Sequence, residues 1–325
     1  MLQLFRSFQW SGVIAFLALA ALLRAPAFVL NIAVPSQLEH LGPWGAWMIS
    51  LSEPTPFAWA FGAVLVVAVG LIASITLQAY RIGSAGAFPV LMALVIGSSA
   101  VWWLGFIPSL LATVLLALAA YRLFDGYRHQ GAAMPGYDCG VLIGAAGLVS
   151  TPFFWFAVWA IIATTQLRKF RISEVFGLLT GMASLPVLVG IYAFVFGDFL
   201  AFRQNLFTGA VQFVDVLALA DAWPVVTVLA LTTGATIGAF QRLSTRRPIQ
   251  EQRASQILYT MLPVGWVALF FSGIPPISGL ALLLYPLSTL LGIWISELSR
   301  KRAQVVVLVL LAAIAAGLLW VGLSA

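Results

Sequence analysis

The chain predicts an all-α fold, a polytopic bundle of transmembrane helices. Three observations carry that expectation. The 325 residues are 62% hydrophobic and only 8% charged, with a mean hydropathy of +1.05; no soluble core uses this much apolar sequence. The apolar residues fall in repeated runs near the length at which one helix crosses a bilayer, about 20 residues. The 16 Lys and Arg residues lie mostly in the short connections between those runs. Such a placement encodes sidedness, so the formal charge of +6 points to the lipid bilayer as partner and not to nucleic acid. A lone cysteine, Cys139, excludes an internal disulfide and a cysteine-based metal cluster. No linker sets a soluble domain apart, so residues 1–325 are expected to form a single integral membrane domain.

The first span is placed at about 10–30, entering from the cytoplasm behind Arg6 and lacking a convincing cleavage site. Arg24 falls in its outer third, two residues before Pro26. A first outer loop, 32–56, follows. Leu38, Leu41, Trp44, Trp47, Met48 and Leu51 recur there at helical spacing, which predicts a short helix lying in the interface. Spans at about 57–79, 85–103 and 107–123 come next, with Trp102, Trp103 and Pro108 at an outer turn. The polar run YRLFDGYRHQGAAMPGYD belongs in water. Later spans are placed at about 173–196, 223–241, 255–272, 277–296 and 304–323, and a second outer amphipathic loop at 198–222.

Residues 139–166 fit neither pattern. They contain no formal charge, yet one crossing needs about 20 residues and two need about 40. A single crossing would turn the basic clusters at 168–171, 242–253 and 300–302 outward, against the positive-inside rule. The expectation is therefore two half-helices, about 140–149 and 152–166, meeting near Ser150-Thr151-Pro152, with one long tilted helix as the alternative. Gly140, Gly144 and Gly147 place small residues where a neighbouring helix can approach closely. The count is nine full spans plus one half-helix hairpin. It puts the N-terminus in the cytoplasm, the C-terminus in the periplasm, and every basic residue except Arg24 and Arg203 inside.

Candidate chemistry lies on the outer face. No phosphate-binding glycine loop, metalloprotease pair or nucleophile elbow occurs. His40 and His129 fall on opposite sides, so they cannot share a metal, and no metal site is expected. The spans carry almost no ionisable group at mid-depth, which argues against ion-coupled transport. Glu39, His40, Glu53, Asp198, Arg203, Asp215 and Asp221, with Arg24 below them, can converge over the bilayer. Carboxylates there can serve as a general base or as metal ligands, although no metal is assigned to them, and arginines can hold a phosphate. The plain alternative is that these residues are the solvated faces of two interfacial helices and that Arg24 snorkels to the surface.

These features together bring a family resemblance. A first span ending near an Arg, an outer loop with an in-plane helix, inward-facing half-helices and a second outer amphipathic loop resemble the layout of the GT-C superfamily. The segments LFRSFQWSGVIAFLALAALLRAPAF and FDGYRHQ…GYDCGVLIGAAGLVSTPFFWFAVWAIIATTQLRKF are also similar to a family of bacterial polytopic inner-membrane proteins. The GT-C resemblance implies a glycosyltransferase, or a relative of one, acting at the outer leaflet on a polyprenyl-phosphate-linked sugar in envelope biogenesis. Arg24, His40, Asp198 and Arg203 would then bind substrate. In GT-C enzymes an acidic residue soon after span one serves as base or metal contact. The matching place here holds Asn31, Ala33 and Pro35, and the nearest carboxylates are Glu39 and then Glu53. A second reading is a non-catalytic membrane subunit or scaffold of an envelope-assembly or secretion complex, with membrane protein partners. A third is a lipid or small-molecule transporter. The residues name no cofactor.

Overall fold

The computed structural model describes residues 18–19, 41–48, 56–80, 82, 86–97, 107–128, 134–167, 172–197, 199–207, 230, 232–234, 236–237, 249–271, 276–299 and 301–307. The described elements are helical. They are α1 (Pro43–Met48), α2 (Pro56–Ala79), α3 (Phe88–Gly97), α4 (Pro108–Arg128), α5 (Met134–Val149), α6 (Phe156–Leu167), α7 (Ile172–Phe196), α8 (Phe199–Phe207), α9 (Ile249–Phe271) and α10 (Pro276–Glu297). A 3₁₀ turn, Thr151–Trp155, joins α5 to α6. Four helices, α1, α2, α4 and α10, begin on proline. Its missing N–H costs nothing at the first helical position, and its fixed φ suits the helix.

Five helical segments are long and apolar enough to cross a membrane: Ala58–Ala79, Pro108–Gly126, Ile172–Phe196, Gln252–Phe271 and Gly279–Glu297. Two shorter apolar segments, Phe88–Gly97 and Pro135–Val149, accompany them. Most of the expected spans at 10–30, 223–241 and 304–323 lies outside the described residues, as does most of the N-terminal half of the first outer loop.

The core sits between α2, α3, α4 and α10. Helices α2 and α3 pack antiparallel, with Gly70 against Val90 and Gly97 against Val66. Thr113 of α4 donates its hydroxyl to the carbonyl oxygen of Ala281 in α10 at 2.9 Å. Helix α10 packs antiparallel on α9, with Gly279 against Leu269 and Gly265 against Leu283. At one end of this bundle Tyr80 lies against Phe124 and Tyr121, and its hydroxyl donates to Asp125 at 3.5 Å. Gly126 meets Pro135 at the same end.

That end gathers the charges. Following the packing register, Arg122, Arg128, Arg253, Lys301 and Arg302 all fall there. Of the Lys and Arg among the described residues, Arg203 alone lies at the opposite end. The Asp, Glu, Lys and Arg residues of the described spans sit near helix ends, because an unpaired charge at mid-depth is costly.

Helices α5 and α7 are parallel neighbours. A Cβ at Gly136 would stand 3.2 Å from the carbonyl oxygen of Glu174. At Gly140 it would strike the carbonyl of Leu178, and at Gly144 that of Met182. Both helices advance four residues per contact, so they run in the same direction. The chain between Val149 and Ile172 must therefore travel back along the length of α5, about 24 Å for its 16 residues. The 3₁₀ turn and the 12 residues of α6 make that return. Ser150 is the point of reversal, extended at φ −146° and ψ 113°, so residues 139–166 are not one long helix. Gly147 makes room for the ring of Phe154 just across the turn. On the return arm, Trp159 is fully buried and its Nε1–H donates to the carbonyl of Ile257 in α9 at 3.0 Å, which fixes α6 against the core.

Two expectations change. The interfacial helix of the first outer loop starts at Pro43 and not at Leu38. Leu41 pairs in an isolated antiparallel bridge with Ser150, so its backbone is committed to an extended form. The polar run between α4 and α5 is also more helical than its composition suggests, since α4 continues to Arg128 and α5 begins at Met134. Residues 129–133 are outside the described set.

Candidate functional site at the Ser150 end

The Ser150 end brings three separate segments together. Gly42 N–H donates to the carbonyl oxygen of Val149 at 3.1 Å, beside the Leu41–Ser150 bridge. Gly42 lies on the backbone of Gly147 and Leu148, and Gly45 on the carbonyl of Val149. Helix α1 thus sits directly on the reversal between α5 and α6. It also touches α8, so the two segments expected as outer loops meet there. Ser150 and Thr151 are buried beneath them.

Helix α8 follows a sharp turn. Gly197 has φ +93°, a left-handed conformation that glycine adopts without the Cβ penalty. The turn folds α8 onto the end of α7. Phe202 packs over Gly190, whose hydrogen leaves space for the ring. Phe199 meets Phe194 edge-on at 5.9 Å and stacks on Phe202 at 6.3 Å. Arg203 follows on the exposed side of α8. A guanidinium is charged at every relevant pH and presents a planar fork that matches phosphate oxygens.

Of the sequence-predicted site residues, Arg203 is the one that falls among the described residues. Arg24, Glu39, His40, Glu53, Asp198, Asp215 and Asp221 lie outside them. Two of them, His40 and Asp198, adjoin described residues. Leu41, next after His40, is held at the Ser150 reversal, and Asp198 lies between Gly197 and Phe199. Among the described residues no group of three His, Cys, Asp or Glu side chains could hold a metal ion.

The sequence reading placed the reversal near Ser150-Thr151-Pro152, where it is found, but did not single out Gly42 or Gly45 as the residues that dock on it. Two glycines three apart beside Pro43 are the signal that was present, since small residues permit a backbone to lie on another backbone. Their partners, more than 100 residues away, leave no local trace.

Compared with known proteins, no family model matches the chain, and no curated protein matches it. Among solved structures it is similar to ArnT from Cupriavidus metallidurans bound to undecaprenyl phosphate, with a TM-score of 0.52 and 14% sequence identity. The likeness covers 92% of this chain and 58% of that one. The overall fold is ArnT-like. At this identity the likeness speaks for the fold, and this chain spans little more than half the length of its neighbour. Together with the apolar helices it identifies a multi-pass membrane protein.

Proposed function

We propose that this protein works at the outer leaflet of a bacterial inner membrane on a polyprenyl-phosphate-linked sugar, as a GT-C-like glycosyltransferase or a relative of one. The observation that carries the reading is the shared fold with a membrane protein that holds undecaprenyl phosphate. The meeting of α1 and α8 over the Ser150 reversal supports it, since it joins the two segments on which the candidate residues other than Arg24 lie. The charge-poor end is taken as periplasmic, because the basic residues gather at the other. On this reading α5, the 3₁₀ turn and α6 form a re-entrant hairpin from the cytoplasmic side. Non-helical backbone at such depth persists where protein covers it, and α1 is that cover.

Arg24 and Arg203 would bind the phosphate, with His40 and Asp198 orienting the sugar. Glu39 or Glu53 would serve as general base. A second reading, a non-catalytic membrane subunit of an envelope-assembly or secretion complex, is favoured by Asn31, Ala33 and Pro35 standing where GT-C enzymes carry an acid.

Native mass spectrometry of the purified protein separates the two. The expected spectrum retains undecaprenyl phosphate on the wild type. Retention falls in Arg24→Lys and further in Arg24→Ala at matched amounts of folded protein, because Lys cannot supply two parallel hydrogen bonds. Equal retention by wild type and Arg24→Lys would make Arg24 a snorkelling residue. A co-purifying membrane protein without any polyprenyl lipid would support the subunit reading instead.

A further inference from the structure

We propose that Gly42 and Gly45 are positioning residues, which dock Leu41 and α1 on the Ser150 reversal and so hold α1 in register with α8, the helix that carries Arg203. This inference rests on the lipid-phosphate reading above. Three observations converge on it. The Leu41–Ser150 bridge and the Gly42 N–H to Val149 bond tie the two backbones together. A Cβ at Gly42 would strike the carbonyl of Leu148, and a Cβ at Gly45 that of Val149. Both obstacles are backbone atoms, which no rotamer change can move aside. Finally, α1 reaches α8, which carries Arg203.

The physical logic is that α1, with 6 residues, is too short to hold its own place. Isolated helices of this length are unstable in water. Here two backbone contacts without intervening side chains fix it to the reversal between two packed helices. A shift of α1 on the reversal is felt by α8, which it touches. A polar site that must meet a phosphate needs this kind of support from its surroundings.

The test reads docking and ligand recognition separately. Residues directly opposite in an antiparallel bridge have Cα atoms roughly 4.5–5.5 Å apart, within disulfide range. Leu41→Cys with Ser150→Cys, in a Cys139→Ser background, should therefore cross-link on oxidation. The same pair carrying Gly45→Ala should not. The second readout, made without the added cysteines, is the ratio of undecaprenyl phosphate to phosphatidylethanolamine retained in native mass spectra. A general loss of folding lowers both lipids, whereas misplacement lowers the phosphate-bearing polyprenol alone. Gly45→Ala should reduce that ratio about tenfold, the loss of one hydrogen bond to a charged group. Gly234→Ala is the control, because a Cβ there meets nothing within 4 Å, and it should leave the ratio unchanged.

Failure of the cysteine pair to cross-link in the glycine-bearing protein overturns the docking, whatever the ligand. Cross-linking that Gly45→Ala abolishes, with an unchanged lipid ratio, overturns the positioning role and leaves the lipid-phosphate reading intact. Cross-linking of the glycine-bearing cysteine pair, with a wild type that retains no undecaprenyl phosphate, overturns the reading itself, and the positioning role with it. Oxidising the cysteine pair supplies a further check in a protein that is folded by construction of the contact. The locked protein should keep the wild-type ratio, and loss of the ratio on oxidation would show that the docked form is not the one that binds.

Discussion

Helices α7 and α10 are both apolar, both long enough to span a membrane, and both carry an internal proline, Pro186 and Pro286. Their surroundings are opposite. In the most apolar 18-residue window, 89% of α10 is buried and only 17% of α7. Helix α10 is surrounded by α2, α3, α4 and α9, whereas α7 leans on α5 through a glycine seam and on α8 through Phe202. The difference shows that apolarity in this protein marks the membrane and not the core. Lipid tails are as apolar as leucine, so a lipid-facing helix and a central one have the same composition. What distinguishes them is which side chains find protein neighbours.

The largest expected effect follows from that contrast. Leu284 of α10 is 0% exposed and Leu188 of α7 is 61% exposed. Leu284→Ala should cost about 2–5 kcal/mol, because the surrounding helices cannot collapse into the space. Leu188→Ala should stay within about 0.5 kcal/mol, since lipid refills the site. Unfolding of both variants in the same bilayer mimic measures this. Equal losses would mean that α7 is covered by protein in its working state, and the contrast between the two helices would break.

The same contrast explains what could be read in the sequence. Span bounds were legible where chemistry is local. Pro56, Pro108 and Pro276 open α2, α4 and α10, and charged clusters close α4 and α10. Gly140 and Gly144 were expected to admit a close helix, and they lie on the backbone of α7. The identity of that partner, and its parallel direction, were not legible, because they depend on residues nearly 40 positions away. The start of α1 was misjudged for a related reason. Leu38, Leu41 and Trp44 have helical spacing, but Leu41 is drawn into an extended bridge by Ser150. Long-range pairing here overrides local periodicity. At the candidate site, Arg24, Glu39, His40, Glu53 and Asp198 rest on charge and position in the sequence, while the junction that brings α1 to α8 is a property of the fold.

A smaller effect tests how α7 is held at all. Its contact with α5 relies on hydrogens where side chains would collide, at Gly140, Gly144 and Gly181. Gly181→Ala would place a methyl group against the carbonyl of Tyr137 and the amide of Val141. The helices must separate to admit it, at roughly 1–3 kcal/mol. The measurement is again unfolding in a bilayer mimic, with Gly234→Ala as the neutral comparison. If Gly181→Ala is equally neutral, the seam does not hold α7, and its position depends on α8.

The smallest effect separates a hydroxyl that joins two helices from one that serves its own. Thr113 is fully buried and reaches both the Ser109 carbonyl at 2.9 Å and the Ala281 carbonyl at 2.9 Å. Thr180 is exposed, and its hydroxyl returns to Phe176 and Gly177 of the same helix, at 2.8 and 3.0 Å. Valine replaces threonine with nearly the same shape, so each Thr→Val change removes the hydroxyl and little else. The Ala281 carbonyl retains its lone pair for the ladder of α10, so it is not orphaned by the loss. Thr113→Val should therefore cost only about 0.6 kcal/mol, and at most about 1.7 kcal/mol, the range found for hydrogen bonds between membrane helices. Thr180→Val should be close to zero or slightly stabilising, because back-bonding of this kind competes with regular helix geometry. Both values come from the same unfolding assay, and the sign of their difference is the informative quantity. A Thr180→Val loss as large as that of Thr113→Val would mean that the Thr180 hydroxyl meets a partner beyond its own helix, and α7 would then have to be counted with the packed helices and not with the lipid-facing ones.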